Sequence, residues 1–161
     1  MRVLTVLFLI LLQGCASPDV VPQGPIFQYS NKPVNSGATA YFYQFDMPGV
    51  NACLLVGING KYRGCVGYPG FAKVELQTGK HEVSFAPNSP IKIANLKFDF
   101  EFISGKEYFF KYQPTKLKSS TDVEIETQYN MILGQSYGWY LIDKSHALTE
   151  LSNLRAWHKA I

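Results

Sequence analysis

Between Leu96 and Phe102 the chain reads LKFDFEF, an order that a helix would scatter and a strand sorts. Phe98, Phe100 and Phe102 recur at every second residue, with Lys97, Asp99 and Glu101 between them, so extended backbone puts rings on one side and charges on the other. The rings need an apolar surface to cover them and the charges need water, which is the condition of a half-buried strand in a sheet packed on a core.

Other segments carry the same period. ATAYFYQF, from Ala38, is rich in β-formers and almost continuously apolar, as expected of a strand with cover on both faces. NACLLVGI and KYRGCVG flank Asn59-Gly60, a strong hairpin signal. FAKVELQ sets Phe71 and Lys73 against Ala72, Val74 and Leu76. Thr78-Gly79-Lys80 turns into HEVSFA, where His81, Val83 and Phe85 share a face. Ser104-Gly105-Lys106 leads into EYFFKYQ, with Tyr108, Phe110 and Tyr112 on one side and Phe109 and Lys111 on the other. The polar stretch from Pro114 to Ser136 offers a short edge strand at Val123-Glu124-Ile125, and GWYLID from Gly138 reads as a last strand. Beyond it, Ser145 offers a helix N-cap, and Ala147, Leu148, Leu151, Leu154 and Ile161 recur at helical spacing with Glu150 and Arg155 on the polar side. The expected fold is mainly β: a single domain over residues 38–161 in which two sides of a sheet are legible and a C-terminal amphipathic helix packs on it.

The chain opens MRVLTVLFLILLQGC, one basic residue followed by an apolar run. A membrane-spanning helix needs roughly 17–25 apolar residues, and this run is shorter. It has the layout of a signal peptide. Leu12-Gln13-Gly14-Cys15 resembles a bacterial lipobox, which implies cleavage between Gly14 and Cys15 and a diacylglyceryl thioether on Cys15. Residues 1–14 are then a lipoprotein signal peptide, and residues 15–37, with Pro18, Pro22, Pro25 and Pro33, an acylated cysteine and flexible tether. Ala16 lacks the aspartate that retains such proteins at the inner membrane. The resemblance therefore implies the periplasmic face of the outer membrane, with the membrane as partner through the lipid.

Removing the leader leaves about 147 residues, the length of one domain. Hydrophobic residues make up 47% of the chain against 17% charged, enough to bury a core. The formal net charge of +3 is spread thinly, with no basic block to follow a phosphate backbone, and nucleic acid is not an expected partner.

Two further cysteines, Cys53 and Cys65, sit on either side of the hairpin turn, and an oxidising compartment favours a disulfide between them. Register decides whether they meet. A two-residue Asn59-Gly60 turn sets Cys53 opposite Val66 and on the other face from Cys65. A three-residue Ile58-Asn59-Gly60 loop with a following bulge sets the two cysteines face to face. The sequence allows both.

Taken in order, YFYQ, VGINGKYRG, VELQTGKHEVSF and FISGKEYFFKY resemble a family of small bacterial lipoprotein domains of unknown function, whose central hairpins are shared with PEGA-type domains. The likeness spans Ala38 to Tyr112. It implies a compact, single-domain antiparallel β-sandwich, PEGA-like or immunoglobulin-like, with the C-terminal amphipathic helix, and no particular activity.

Catalytic signals are sparse. His81 sits on a strand beside Val83 and Phe85, where a packed or hydrogen-bonded histidine is the plain reading. His146 and His158, twelve residues apart on one helix, point about 120° apart and do not share an ion. Asp99 and Glu101 share a solvent face, and no phosphate loop, paired-histidine zinc motif or G-x-S-x-G elbow occurs. No enzyme, cofactor or metal site is expected. The expected role is a non-catalytic binding or scaffolding module with an envelope-protein partner. The alternative is a binder of a small ligand or glycan, for which Tyr137, Trp139 and Tyr140, and also Tyr41 and Tyr43, would supply stacking surfaces if exposed, although their alternation in phase with the inward face is better explained by core and sheet packing.

Overall fold

The computed structural model describes residues 24–30, 37–45, 53–67, 69–87, 96–130 and 134–156. The leader with Gly14 and Cys15, and His158 and Ile161, lie outside them. The strands are β1 (Ala38–Gln44), β2 (Leu54–Ile58), β3 (Lys61–Val66), β4 (Gly70–Leu76), β5 (Gly79–Pro87), β6 (Leu96–Phe102), β7 (Glu107–Pro114), β8 (Val123–Asn130) and β9 (Gln135–Leu141). A 3-10 turn at Thr115–Leu117 follows β7, and helix α1 (Lys144–Leu151) follows β9.

The strands pair as a five-stranded sheet, order β4-β1-β7-β9-β8, and a four-stranded sheet, order β3-β2-β5-β6. The chain is therefore mainly β, with two sheets and a C-terminal helix. One pairing departs from the antiparallel expectation, because β1 and β7 run parallel with Thr39 beside Glu107 and Phe42 beside Phe110. These two strands are far apart in sequence, so no tight turn fixes their relative direction.

One core joins the inner faces of both sheets. Phe42 (β1), Phe110 (β7) and Trp139 (β9) from one sheet meet Val56 (β2), Phe85 (β5) and Phe98 and Phe102 (β6) from the other. Trp139 stacks on Phe85 with ring centroids 4.0 Å apart, and Phe42 lies edge-on to both, at 5.5 Å from Phe85 and 5.8 Å from Trp139. Phe98 and Phe102 are buried as the alternation requires, while Lys97, Asp99 and Glu101 stay in water.

A second apolar cluster covers the opposite face of the larger sheet. Tyr41, Tyr43, Phe71, Phe109 and Tyr140 project there and meet Ala147, Leu151 and Leu154 from the C-terminal region and Phe27 from the N-terminal one. Helix α1 is capped two residues earlier than Ser145 would place it. Asp143 is the N-cap and accepts from the Ser145 backbone N–H at 2.9 Å, which lowers the Asp143 pKa through its bonds to Ser145. The helix ends at Leu151, and Arg155 and Ala156 then form β-bridges to Ile26 and Phe71.

Over residues 24–30 the flexible-tether expectation fails. Gly24 N–H donates to Ala156 O at 3.0 Å, Phe27 N–H to Leu154 O at 2.9 Å, and Ala156 N–H to Pro25 O at 2.9 Å. Pro25 takes part through its carbonyl, so its missing N–H costs the pairing nothing.

The hairpin register matches neither sequence alternative. Asn59 and Gly60 both have positive φ, 51° and 72°, the two-residue turn expected of Asn-Gly. The ladder then shifts between Val56 and Gly57, so that Val56 faces Gly64 while Gly57 faces Tyr62, leaving Arg63 as an extra residue in β3. That bulge reverses the parity of the turn. Cys65 pairs with Leu55, and Cys53, two residues before Leu55, falls on the same face. Cys53 and Cys65 are disulfide-bonded with Cα atoms 5.6 Å apart.

A second bulge, at Ile125, lies beside Gly138 of β9. A Cβ on Gly138 would stand 2.6 Å from Glu126 O and 2.5 Å from the Thr127 methyl, whereas one on Gly64 would meet Ala72 at an ordinary 3.5 Å. Gly138→Ala is expected to destabilise the fold by about 1–3 kcal/mol, while Gly64→Ala stays within about 1 kcal/mol of the parent. Urea unfolding of the two variants side by side checks this, and equal midpoints would contradict the close approach.

Candidate functional site

The aromatic side chains nominated as ligand contacts are not surface groups. Tyr137 and Trp139 belong to the core between the sheets, and Tyr140 to the cluster beneath α1. Their exposures are 1%, 0% and 0%. Tyr41 and Tyr43 are buried with them, because both faces of the larger sheet are covered. The phase of these rings and the helical part of the second cover were legible in the sequence, but the contribution of the segment around Phe27 was not. His81 lies in a polar contact at the sheet end, with Nδ1 2.9 Å from Asn59 Nδ2 and Nε2 3.0 Å from Gln77 O.

Two half-buried charge groups fasten the C-terminal region to the larger sheet. Glu150 of α1 accepts from the Tyr43 hydroxyl at 2.7 Å through Oε2, and from Lys111 through Oε1, which His146 Nε2 also approaches at 3.5 Å. Both carboxylate oxygens are thus engaged by the chain's own donors. At the other end, Glu107 of β7 accepts from Tyr29 at 2.7 Å and from Lys144 at 2.6 Å, with Lys144 also 4.7 Å above the Tyr29 ring. This second group clamps the N-terminal segment, β7 and α1 at one point. Sequence reasoning missed it, having left Tyr29 in the tether.

Beside this clamp is a cleft of about 580 Å³ where the edge strands β3 and β4 approach residues 25–30. Its floor is apolar: Phe27 lies edge-on to Tyr41 at 5.6 Å and to Phe71 at 5.3 Å, and Tyr41 stacks on Phe109 at 5.0 Å. Its rim is different. Tyr62 and Ile26 are exposed at 46% and 48%, and Arg63 and Lys73 supply charge, with no acidic residue among those lining it. Cys65 reaches the same wall, so the disulfide and the Arg63 bulge set its shape. An apolar floor with a cationic rim suits a ligand that joins an anionic group to a hydrophobic one. Among the described residues no group of three or more His, Cys, Asp or Glu gathers in a metal-binding arrangement.

Comparison of the chain with family models, with curated proteins and with solved structures returned no match.

The buried phenols give the cluster beneath α1 a pH signature. Burial, followed by the neighbouring Glu107, pushes Tyr41 up to about 12. Burial, followed by the adjacent Tyr137, does the same to Tyr112 in the inter-sheet core, also to about 12. Tyr43 is raised as well, first by burial and then by its hydrogen bond to Glu150. Above the unfolded phenol value of about 10, the folded state keeps protons that the unfolded chain has released, so stability falls as pH rises. Lys144, raised mainly by its hydrogen bond to Glu107, adds in the same direction. Urea midpoints are therefore expected to show no phenol-linked loss below about pH 10 and a fall between about pH 10 and 12. Tyr43→Phe, which keeps the ring and removes one proton, is expected to shallow that fall; an unchanged slope would contradict the assignment.

Proposed function

We propose that this chain is an exported, lipid-anchored lipoprotein of the cell envelope, held at the periplasmic face of the outer membrane. Its two-sheet domain acts as a non-catalytic binding or scaffolding module for an envelope partner. The observation that carries export is the Cys53–Cys65 bond, since such bonds persist in oxidising compartments and are rare in the cytosol. It joins the sequence evidence of a short apolar leader ending in Leu12-Gln13-Gly14-Cys15. Two acyl chains hold a protein on a bilayer where one holds only marginally, each buried methylene contributing about 0.8 kcal/mol.

We read the domain more finely as a PEGA-like or immunoglobulin-like β-sandwich. Support comes from the single core shared by the two sheets and from the hairpin motifs INGKYRG and LQTGKHEVSF, which occupy β2 to β5. The binding role is supported by the cleft at the β3 and β4 edges. Exposed Tyr62 on its rim also favours a small-ligand or glycan-binding reading, with the stacking ring at this position instead of at Tyr137, Trp139 and Tyr140.

Labelled palmitate fed to cells is expected to enter the wild-type chain, and the mature N-terminus to begin at Cys15 by mass spectrometry. Cys15→Ser should abolish the label and release the chain from membranes. Equal membrane retention of both forms, with no label in either, would overturn the anchor.

A further inference from the structure

We propose that the cleft rim formed by Ile26, Tyr62, Arg63 and Lys73 is a seat for the phosphate headgroups of anionic phospholipid in the leaflet that carries the anchor. The inference rests on the lipid-anchor reading and adds an orientation to it. Three observations converge on this rim.

The first is distance along the chain. Gly24 is fixed to the domain by its bond to Ala156, and the cleft begins at the next residue, Pro25. Gly24 lies nine positions after Cys15, with eight residues between them. Even fully extended chain covers at most about 3.6 Å per residue, so the cleft mouth stays within roughly 30 Å of the lipidated sulfur. Gly24 and the cleft beside it are thus the first described part of the domain along the chain from the anchor, within reach of the bilayer surface.

The second is charge. Arg63, the extra residue of the β2–β3 ladder, has an exposed side chain with no ion-pair partner among the described residues. Lys73 is paired with Glu75 at 2.7 Å, but both side chains are well exposed, at 46% and 67%, so water and salt screen that pair and a phosphate can compete for it. A planar guanidinium offers two parallel N–H bonds to phosphate oxygens.

The third is the company these cations keep. Ile26 and Tyr62 are among the exposed large apolar residues of the described surface, and both border this one cleft. A tyrosine ring beside Arg and Lys is the side-chain set that favours the boundary between headgroups and acyl chains. With acyl chains already supplying affinity, the gain is orientation: the rim faces the membrane and the β8 edge of the larger sheet is presented away from it.

The test uses the mature, lipidated full-length chain in vesicles of phosphatidylcholine alone or with about one third phosphatidylglycerol. Arg63 is footprinted with phenylglyoxal and Lys73 with an acetylating reagent, with Lys80 and Lys97 of the smaller sheet as internal controls. Each cation at an anionic surface gains enough to slow its modification about fivefold. That protection is expected at Arg63 and Lys73 and not at the controls, and is expected to vanish in about 1 M salt, where the Debye length falls to ~3 Å. The double variant Tyr62→Ala, Arg63→Gln, altered only at exposed positions, should still float with vesicles but lose the protection of Lys73. Equal rates in both vesicle types, or equal slowing of the controls, would overturn the seat while leaving the anchor intact. Equal protection by soluble polyglutamate on neutral vesicles would also overturn it, in favour of an acidic peptide. A chain that fails to float overturns the anchor and the seat together.

Discussion

All seven residues of β1 are buried, and this double burial governs the rest of the molecule. Ala38, Ala40 and Phe42 face the smaller sheet, while Tyr41 and Tyr43 face the opposite way. A strand in this position needs cover on two sides, and each large side chain removed from water contributes about 1.5–3 kcal/mol. One cover is the four-stranded sheet. The other is assembled from α1, the turn after it and the segment around Phe27. A short amphipathic helix is unstable alone in water, and so is an isolated N-terminal segment. Here each is held by the face it covers and by the charge groups centred on Glu150 and Glu107.

Much of this order is written in local sequence. The alternation of LKFDFEF, the Asn59-Gly60 turn and the phase of Tyr108, Phe110 and Tyr112 each act over a few residues, and each appears in the structure where a two-residue period requires it. The continuous apolar run of β1 also implied cover on both faces, and the structure supplies it. The identity of the second cover was only half legible. Helical spacing after Ser145 pointed to α1, but Phe27 and Tyr29 sit in a stretch whose prolines mask their role, because Pro25 gives only its carbonyl to the pairing.

Long-range register was the less legible part. Nothing local in KYRGCVG marks Arg63 as the extra residue, although that single insertion decides whether Cys53 and Cys65 share a face. The parallel pairing of β1 with β7 likewise depends on residues about seventy positions apart. The same limit explains the misassigned rings. Alternation shows that Tyr137 and Trp139 point one way and Tyr140 the other, but whether a face meets water depends on segments distant in sequence.

The candidate site follows from the second cover. Residues 25–30 form one wall of the cleft, Arg63 is turned to its rim by the same bulge that aligns the cysteines, and Tyr41 of β1 lies on its floor. Core, disulfide and site are thus joined through β1 and its edge neighbours. Anchoring close to this wall would turn the cleft toward the bilayer and leave the far edge of the larger sheet for a partner.

Native-state hydrogen exchange at the amides of Phe27 and Ala156 tests the double cover most directly, since these donate to Leu154 and Pro25 outside any regular strand. If the N-terminal segment closes the outer face of β1, both exchange as slowly as the amides of β1 and β7. Exchange at the rate of an unstructured peptide, with β1 still protected, would contradict it.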